Sequence, residues 1–167
     1  MGGMGSTGKV LAVCLSKRRP DPKKNVGRGY IKNGVGLVGD SHAGTEKEVS
    51  LLAMEAIQAL CQKTSIVAGP GSFAENITIE GLELKQLPIG TEIRIGRAGL
   101  KVIGIGKDPS APHTYSFQGY SLLRKEGIFC TVTKSGWVKV GDTVTIVGDR
   151  DGKDDSLPGM PGAQPFS

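Results

Sequence analysis

The stretch from Ser72 to Lys107, SFAENITIEGLELKQLPIGTEIRIGRAGLKVIGIGK, constrains the fold more than any other part of the chain. It opens with a polar pair, Glu75 and Asn76, in an apolar setting, and then alternates. Ile77 and Ile79 flank Thr78, Ile93 and Ile95 flank Arg94, and Leu100, Val102 and Gly104 flank Lys101 and Ile103. Period-two alternation, broken by glycine turns at Glu80–Gly81, Ile89–Gly90 and Gly96–Arg97, predicts short, twisted antiparallel strands. Three or more such strands bury an apolar face only by closing on themselves or on a second sheet. The expected fold is all-β: a small, strongly twisted β-barrel, closed or semi-closed, with one covering α-helix.

The rest of the chain is read around that barrel. Residues 1–8 carry no fold information and read as a flexible start, residues 9–147 as the barrel domain, and residues 148–167 as a disordered tail almost without apolar content. Lys9–Ser16 predicts the first strand, and the charged, proline-rich segment Ser16–Gly29 predicts a loop. Residues 30–39 look extended but glycine-broken. The covering helix is expected over 49–62, because Val49, Leu52, Ala53, Ala56, Ile57 and Leu60 form one stripe at helical spacing. Ser50 then suits an N-cap, and Glu46 and Glu48 the positive end of the helix dipole. Ile128–Thr133 and Trp137–Val140 are expected to form a hairpin through Lys134–Gly136, with Asp142–Val147 closing the sheet. The segment after Lys107 reads as an irregular loop of about twenty residues, a length that tends to be functional or disordered.

At 167 residues the chain is long enough for one domain with a real core. A net charge of +5 favours anionic partners, but the basic clusters Lys17–Arg19, Lys23–Lys24 and Arg124–Lys125 are short and suit solvated surface. Nucleic-acid binding is not expected, since the basic segments lack the interleaved aromatics on which single strands stack. Three cysteines without close spacing exclude a disulfide framework and a cysteine-based zinc site. No apolar run approaches a membrane span and no leader is read, so a soluble, cytoplasmic chain with reduced thiols is expected. Walker, dinucleotide-binding and GxSxG motifs are absent.

Taken together, GLVGDSHAG (36–44), EVSLLAMEAI (48–57), GSFAENITIEGLEL (71–84), PIGTEIRIG (88–96) and EGIFCTVTKSGWVKVGDTV (126–144) resemble the MOSC domains, the C-terminal domains of molybdenum cofactor sulfurases and their stand-alone bacterial relatives. The similarity spans roughly residues 9–147. It implies a twisted barrel, handling of the molybdenum cofactor or of sulfur, pyridoxal phosphate binding, and a reactive cysteine that carries sulfur or ligates the metal. A cysteine desulfurase or a molybdenum enzyme is the implied partner. The chain departs from the family in one loop. Where a functional cysteine is usual, it reads GKDPSAPHTYSFQGYSLLRKEGIFC, with Pro109 and His113 in the loop and Cys130 in the following strand.

Sulfur transfer needs an exposed thiolate beside positive charge. Cys130 has Lys107, Arg124 and Lys125 as sequence neighbours but alternates in phase with Ile128 and Val132, so a core position is the competing reading. Cys14, between Val13 and Leu15, and Cys61, beside Leu60, read as structural. Asp40 and His42 fall in a turn where His42 can donate to a phosphate or pterin oxygen and Asp40 can fix its tautomer, or where both simply hold the turn. Glu75 and Asn76 either hold the barrel mouth or touch a ligand; as buried polar groups they need partners. His113, with Lys107 and Arg124, completes the residues expected around a small anionic cofactor. Two distant histidines do not make a protein-held metal site. The first reading is a sulfur carrier or molybdenum-cofactor protein. The second is a binding or sensing module that keeps the anionic-cofactor pocket without a thiol step.

Overall fold

The computed structural model describes residues 7–17, 23–41, 43–45, 48–106 and 116–147. The expected flexible start and tail, the loop residues 107–115, and the site candidates His42, Lys107 and His113 lie outside the described residues, the two ends apart from Thr7 and Gly8.

In chain order the strands are β1 (Thr7–Leu15), β2 (Lys24–Asn25), β3 (Arg28–Lys32), β4 (Gly36–Leu37), β5 (Val49–Ala53), β6 (Ile77–Glu80), β7 (Glu92–Ile95), β8 (Ala98–Ile105), β9 (Ile128–Lys134), β10 (Gly136–Lys139) and β11 (Thr143–Val147). Helix α1 spans Met54–Lys63, and a single turn, α2, spans Leu122–Glu126. Seven strands run in the order β11–β7–β8–β9–β5–β6–β1, and β11 pairs back onto β1, so the barrel is closed. Closure removes the free edges that a sheet of this size would otherwise expose. Its interior is one cluster in which Val10, Val13, Val49, Leu51, Ile77, Ile79, Ile93, Ile95, Leu100, Val102, Ile128 and Val132 meet. Of these, Ile77, Ile79, Ile93, Ile95, Leu100 and Val102 are the inward positions of the alternation read from the sequence.

The expected helix over 49–62 is corrected at its start. Val49–Ala53 is a strand, parallel to β6 and antiparallel to β9. Val49 and Leu51 enter the barrel interior, while Leu52 packs outside against Ile57, Phe73 and Leu122. A strand buried on both faces gives a continuous apolar run, which periodicity does not distinguish from a helix stripe. Ser50 therefore caps nothing: α1 begins after Ala53 and has no side-chain cap. Glu48 serves β9 instead, its Oε1 accepting the Val132 amide (2.8 Å) and the Thr131 hydroxyl (3.1 Å). The shortened α1 still covers the barrel, with Ile57, Leu60 and Cys61 packed on the outer cluster.

The expected hairpin is also corrected. β8 flanks β9 along its length, β5 flanks it over Ile128–Cys130, and beyond that Glu48 accepts the Val132 amide, so β10 pairs elsewhere. It joins β3 and β4 in a separate three-stranded sheet. That sheet rests on the barrel through Ile31, Leu37 and Val138, which belong to the interior cluster. The segment read as a loop over 16–29 contains β2 and the start of β3.

Candidate functional site

The polar residues singled out in the sequence converge where the end of β1 meets the starts of β5 and β6. Asp40 follows β4 and turns its carboxylate inward. Its Oδ1 lies 2.7 Å from the Lys23 ammonium and accepts the Ser16 amide at 3.0 Å. Both side chains of the pair are about 1% exposed. Lys23 is anchored from behind, because its amide donates to the Gly71 carbonyl at 3.0 Å. The Gly71 amide in turn donates to Glu75 Oε2 at 2.9 Å, and the Thr78 hydroxyl donates to the same oxygen at 2.7 Å. One continuous path thus runs from Asp40 through Lys23 and Gly71 to Glu75.

Asn76 ties three strands at the same place. Its Oδ1 accepts the Ser50 amide at 3.0 Å, its own amide donates to the Ser50 hydroxyl at 3.0 Å, and its Nδ2 donates to the Cys14 carbonyl at 3.2 Å. Buried amides of this kind hold register, since each lost bond would strand a polar group away from water at about 1–3 kcal/mol. Ala74, just before Glu75, has φ of +69°. An L-residue in that region stores about 1–2 kcal/mol, and the strain is held at the turn that aims the Glu75 carboxyl inward.

Glu75 is fully buried. Burial pushes its carboxyl up from 4.5, against the lowering effect of the Gly71 amide, the Thr78 hydroxyl and the amides of Glu75 itself and Phe73. Its Oε1 has no partner at hydrogen-bonding geometry among the described residues. The sign of the pH effect follows. With the folded value above the unfolded one, the native state binds the extra proton, so stability falls as pH rises from about 4.5 toward the folded value. Glu75→Gln mimics the protonated acid and is expected to flatten that fall. Urea denaturation of both proteins across this range checks it: wild type should lose up to about 1.4 kcal/mol per pH unit relative to the variant.

The thiols sit differently from one another. Cys130 lies in the barrel interior, opposite Val49 and Val102, with no exposure. Burial alone pushes its pKa up. Cys14 is on the other side of the barrel wall, under the 71–75 turn, and also fully buried. Its pKa is pushed up to about 12, first by burial and then by the charge of Glu75, with Thr78 and Lys23 acting in the opposite direction. Three units is about a thousandfold loss of thiolate at neutral pH. Cys61 is half-buried at the end of α1, its Sγ 3.7 Å from the Ala68 carbonyl. Alkylation of the native protein with iodoacetamide is therefore expected to label Cys61 and spare Cys14 and Cys130, with all three labelled in denaturant.

Asp40, Glu75 and Asn76 are thus brought together. Arg124 is half-buried on α2, which packs on α1 and β5. Lys23, Thr78 and Ser50 belong to the network but were not among the expected site residues. Thr78 carried a signal, a hydroxyl inside ITI three residues after a glutamate. Lys23, in PDPKKN, carried none. Among the described residues no group of three or more His, Cys, Asp or Glu is placed to hold a metal ion, and no helix is long and apolar enough to cross a membrane.

A closed seven-stranded barrel with a covering helix and a buried polar seam beside its mouth defines the class of domain. The MOSC domain family matches residues 38–145, and the chain belongs to that family. Among solved structures the chain is similar to the YuaD protein from Bacillus subtilis, at 19% identity and a TM-score of 0.67, covering 84% of this chain and 95% of that one. It is also similar to YiiM from Geobacillus stearothermophilus, at 15% identity and a TM-score of 0.62, covering 84% and 75%. YiiM from Escherichia coli gives 17% identity and a TM-score of 0.56, covering 83% and 69%. At these identities the likeness concerns the fold. No curated protein matches the sequence.

Proposed function

We propose that this protein is a binding module for a small anionic cofactor of the molybdopterin type, without a thiol step of its own. The observation that carries this choice is the state of its three cysteines. Cys14 and Cys130 are sealed and raised in pKa, and Cys61 is half-buried at the end of α1, where its Sγ faces the Ala68 carbonyl. A persulfide carrier needs an exposed thiolate, which Cys14 and Cys130 do not offer.

The residues suit such a ligand in two respects. Glu75, fully buried and raised in pKa, can hold a proton and so keep the polar seam behind the ligand neutral. The Lys23–Asp40 pair fixes the turn after β4, and His42, Lys107, His113 and Arg124, the cations and donors expected from the sequence, would serve a phosphate. A molybdenum cofactor, when bound, supplies oxo-transfer and redox chemistry at its metal. The chain's own part is to orient the pterin, neutralise the phosphate and keep water from that side of the ligand.

Native mass spectrometry of the full chain with molybdopterin tests the reading. A one-to-one complex is expected, weakened about tenfold or more in His42→Ala, on the scale of about 1.5–3 kcal/mol for a hydrogen bond to a charged group. Absence of any complex at high micromolar cofactor contradicts it.

A further inference from the structure

The second sheet carries a face that the cofactor reading does not use. One side of β3, β4 and β10 is buried on the barrel; the other presents Arg28, Tyr30, Lys32, Trp137 and Lys139. The strand register sets Trp137 opposite Tyr30 and Lys139 opposite Arg28. The two rings meet edge to face, with centroids 5.4 Å apart at 66°. The Arg28 guanidinium lies 5.0 Å from the indole centroid, yet Trp137 remains 57% exposed. Val38, 47% exposed, extends the apolar strip beside Tyr30, whose carbonyl accepts its amide at 3.0 Å.

Charge completes the pattern. The three strands contain Arg28, Lys32 and Lys139 and no aspartate or glutamate. Lys139 has Asp142 within 3.2 Å, but this is an exposed pair of little strength. An exposed aromatic pair ringed by cations offers stacking to flat rings and charge to phosphates at once. In linear sequence Tyr30 and Trp137 are far apart, so the interleaving appears only when β3 and β10 pair.

We propose that the β3–β4–β10 face binds single-stranded nucleic acid, with bases stacked on Tyr30 and Trp137 and phosphates held by Arg28, Lys32 and Lys139. A duplex keeps its base faces inside the stack and gains only the charges. An acidic protein would match the cations but leave the indole without a stacking partner. A second copy would bring like charges together. Single strands satisfy both halves of the surface.

Trp137 is the only tryptophan in the chain, so its emission reports on this face directly. Titration of the full chain with an oligothymidylate of about 12 nucleotides, within the usual site sizes, should quench that emission to saturation. Affinity should fall with salt at a log–log slope of about −2, or ~0.7 for each of three phosphates. Followed by anisotropy of a labelled oligonucleotide, Trp137→Ala should weaken binding about 5- to 150-fold. Lys32→Glu, which leaves both rings in place, should also weaken it and make the salt slope shallower. The proposal is overturned by no quenching in the wild type, by binding unchanged by both variants, or by equal affinity for a duplex of the same length. A shift in emission without oligonucleotide, accompanied by a doubling of mass, also overturns it in favour of a second copy. Should Trp137→Ala fail to fold, wild-type quenching and Lys32→Glu still decide.

Discussion

Replacing Asp40 with alanine is expected to lower the unfolding free energy by about 3–5 kcal/mol, the scale for removing one member of a buried ion pair. Both side chains of the Lys23–Asp40 pair are about 1% exposed, and the Nζ–Oδ1 distance is 2.7 Å. The substitution leaves an ammonium in the interior without this carboxylate, and it takes the acceptor from the Ser16 amide. Urea denaturation reads the loss as an earlier midpoint with little change in slope. The double variant Lys23→Met, Asp40→Ala separates charge from packing. Apolar replacement of a whole buried pair is often close to neutral, so the double variant should recover most of the loss. A single variant within about 0.5 kcal/mol of wild type, the range of ordinary surface changes, would mean that the pair does not organise this part of the molecule.

Gly71→Ala is the second large effect, and it links stability to the chemistry of the site. Gly71 has φ of +86°. The left-handed conformation alone disfavours alanine by about 1–2 kcal/mol. An added Cβ would also run into the Lys23 carbonyl and crowd the Cys14 sulfur. Backbone, unlike the end of a long side chain, cannot step aside cheaply, so the 71–75 turn has to move. That movement breaks the hydrogen bond from the Gly71 amide to Glu75 Oε2 and uncovers Cys14. The expected result is a less stable protein in which Cys14 becomes reactive to iodoacetamide while Cys130, inside the barrel, does not. Equal protection of Cys14 in wild type and variant would show that the turn does not form its lid.

The parts of the fold that the sequence made legible share one property: one face of the strand is buried and the other is wet. The strands β7 and β11 alternate cleanly for that reason, and β11 closes the barrel by pairing with β1. Val49–Ala53 breaks the rule because both of its faces are covered, so its apolar run matched a helix stripe. The β3–β10 pairing was hidden by distance along the chain, and the neighbouring Ile128–Lys134 strand offered a nearer partner, whose edges β8, β5 and the Glu48 carboxylate take instead. The same logic holds at the site. Asp40, Glu75 and Asn76 stood out as polar residues among apolar ones, which is how buried polar groups announce themselves. Lys23 sits in a charged, proline-rich stretch where every lysine looks solvated. Only the tertiary fold takes this one inside and points it at Asp40.

The choice between a binding module and a sulfur carrier rests on Cys14 and Cys130, which are fully buried and raised in pKa. The most direct test is intact-protein mass spectrometry after incubation with a cysteine desulfurase and cysteine, followed by mapping of any modified residue. The expected result is no sulfur on Cys14 or Cys130. A one-sulfur mass increase that maps to either residue, and that Cys14→Ala or Cys130→Ala abolishes, would contradict the account and restore the carrier mechanism.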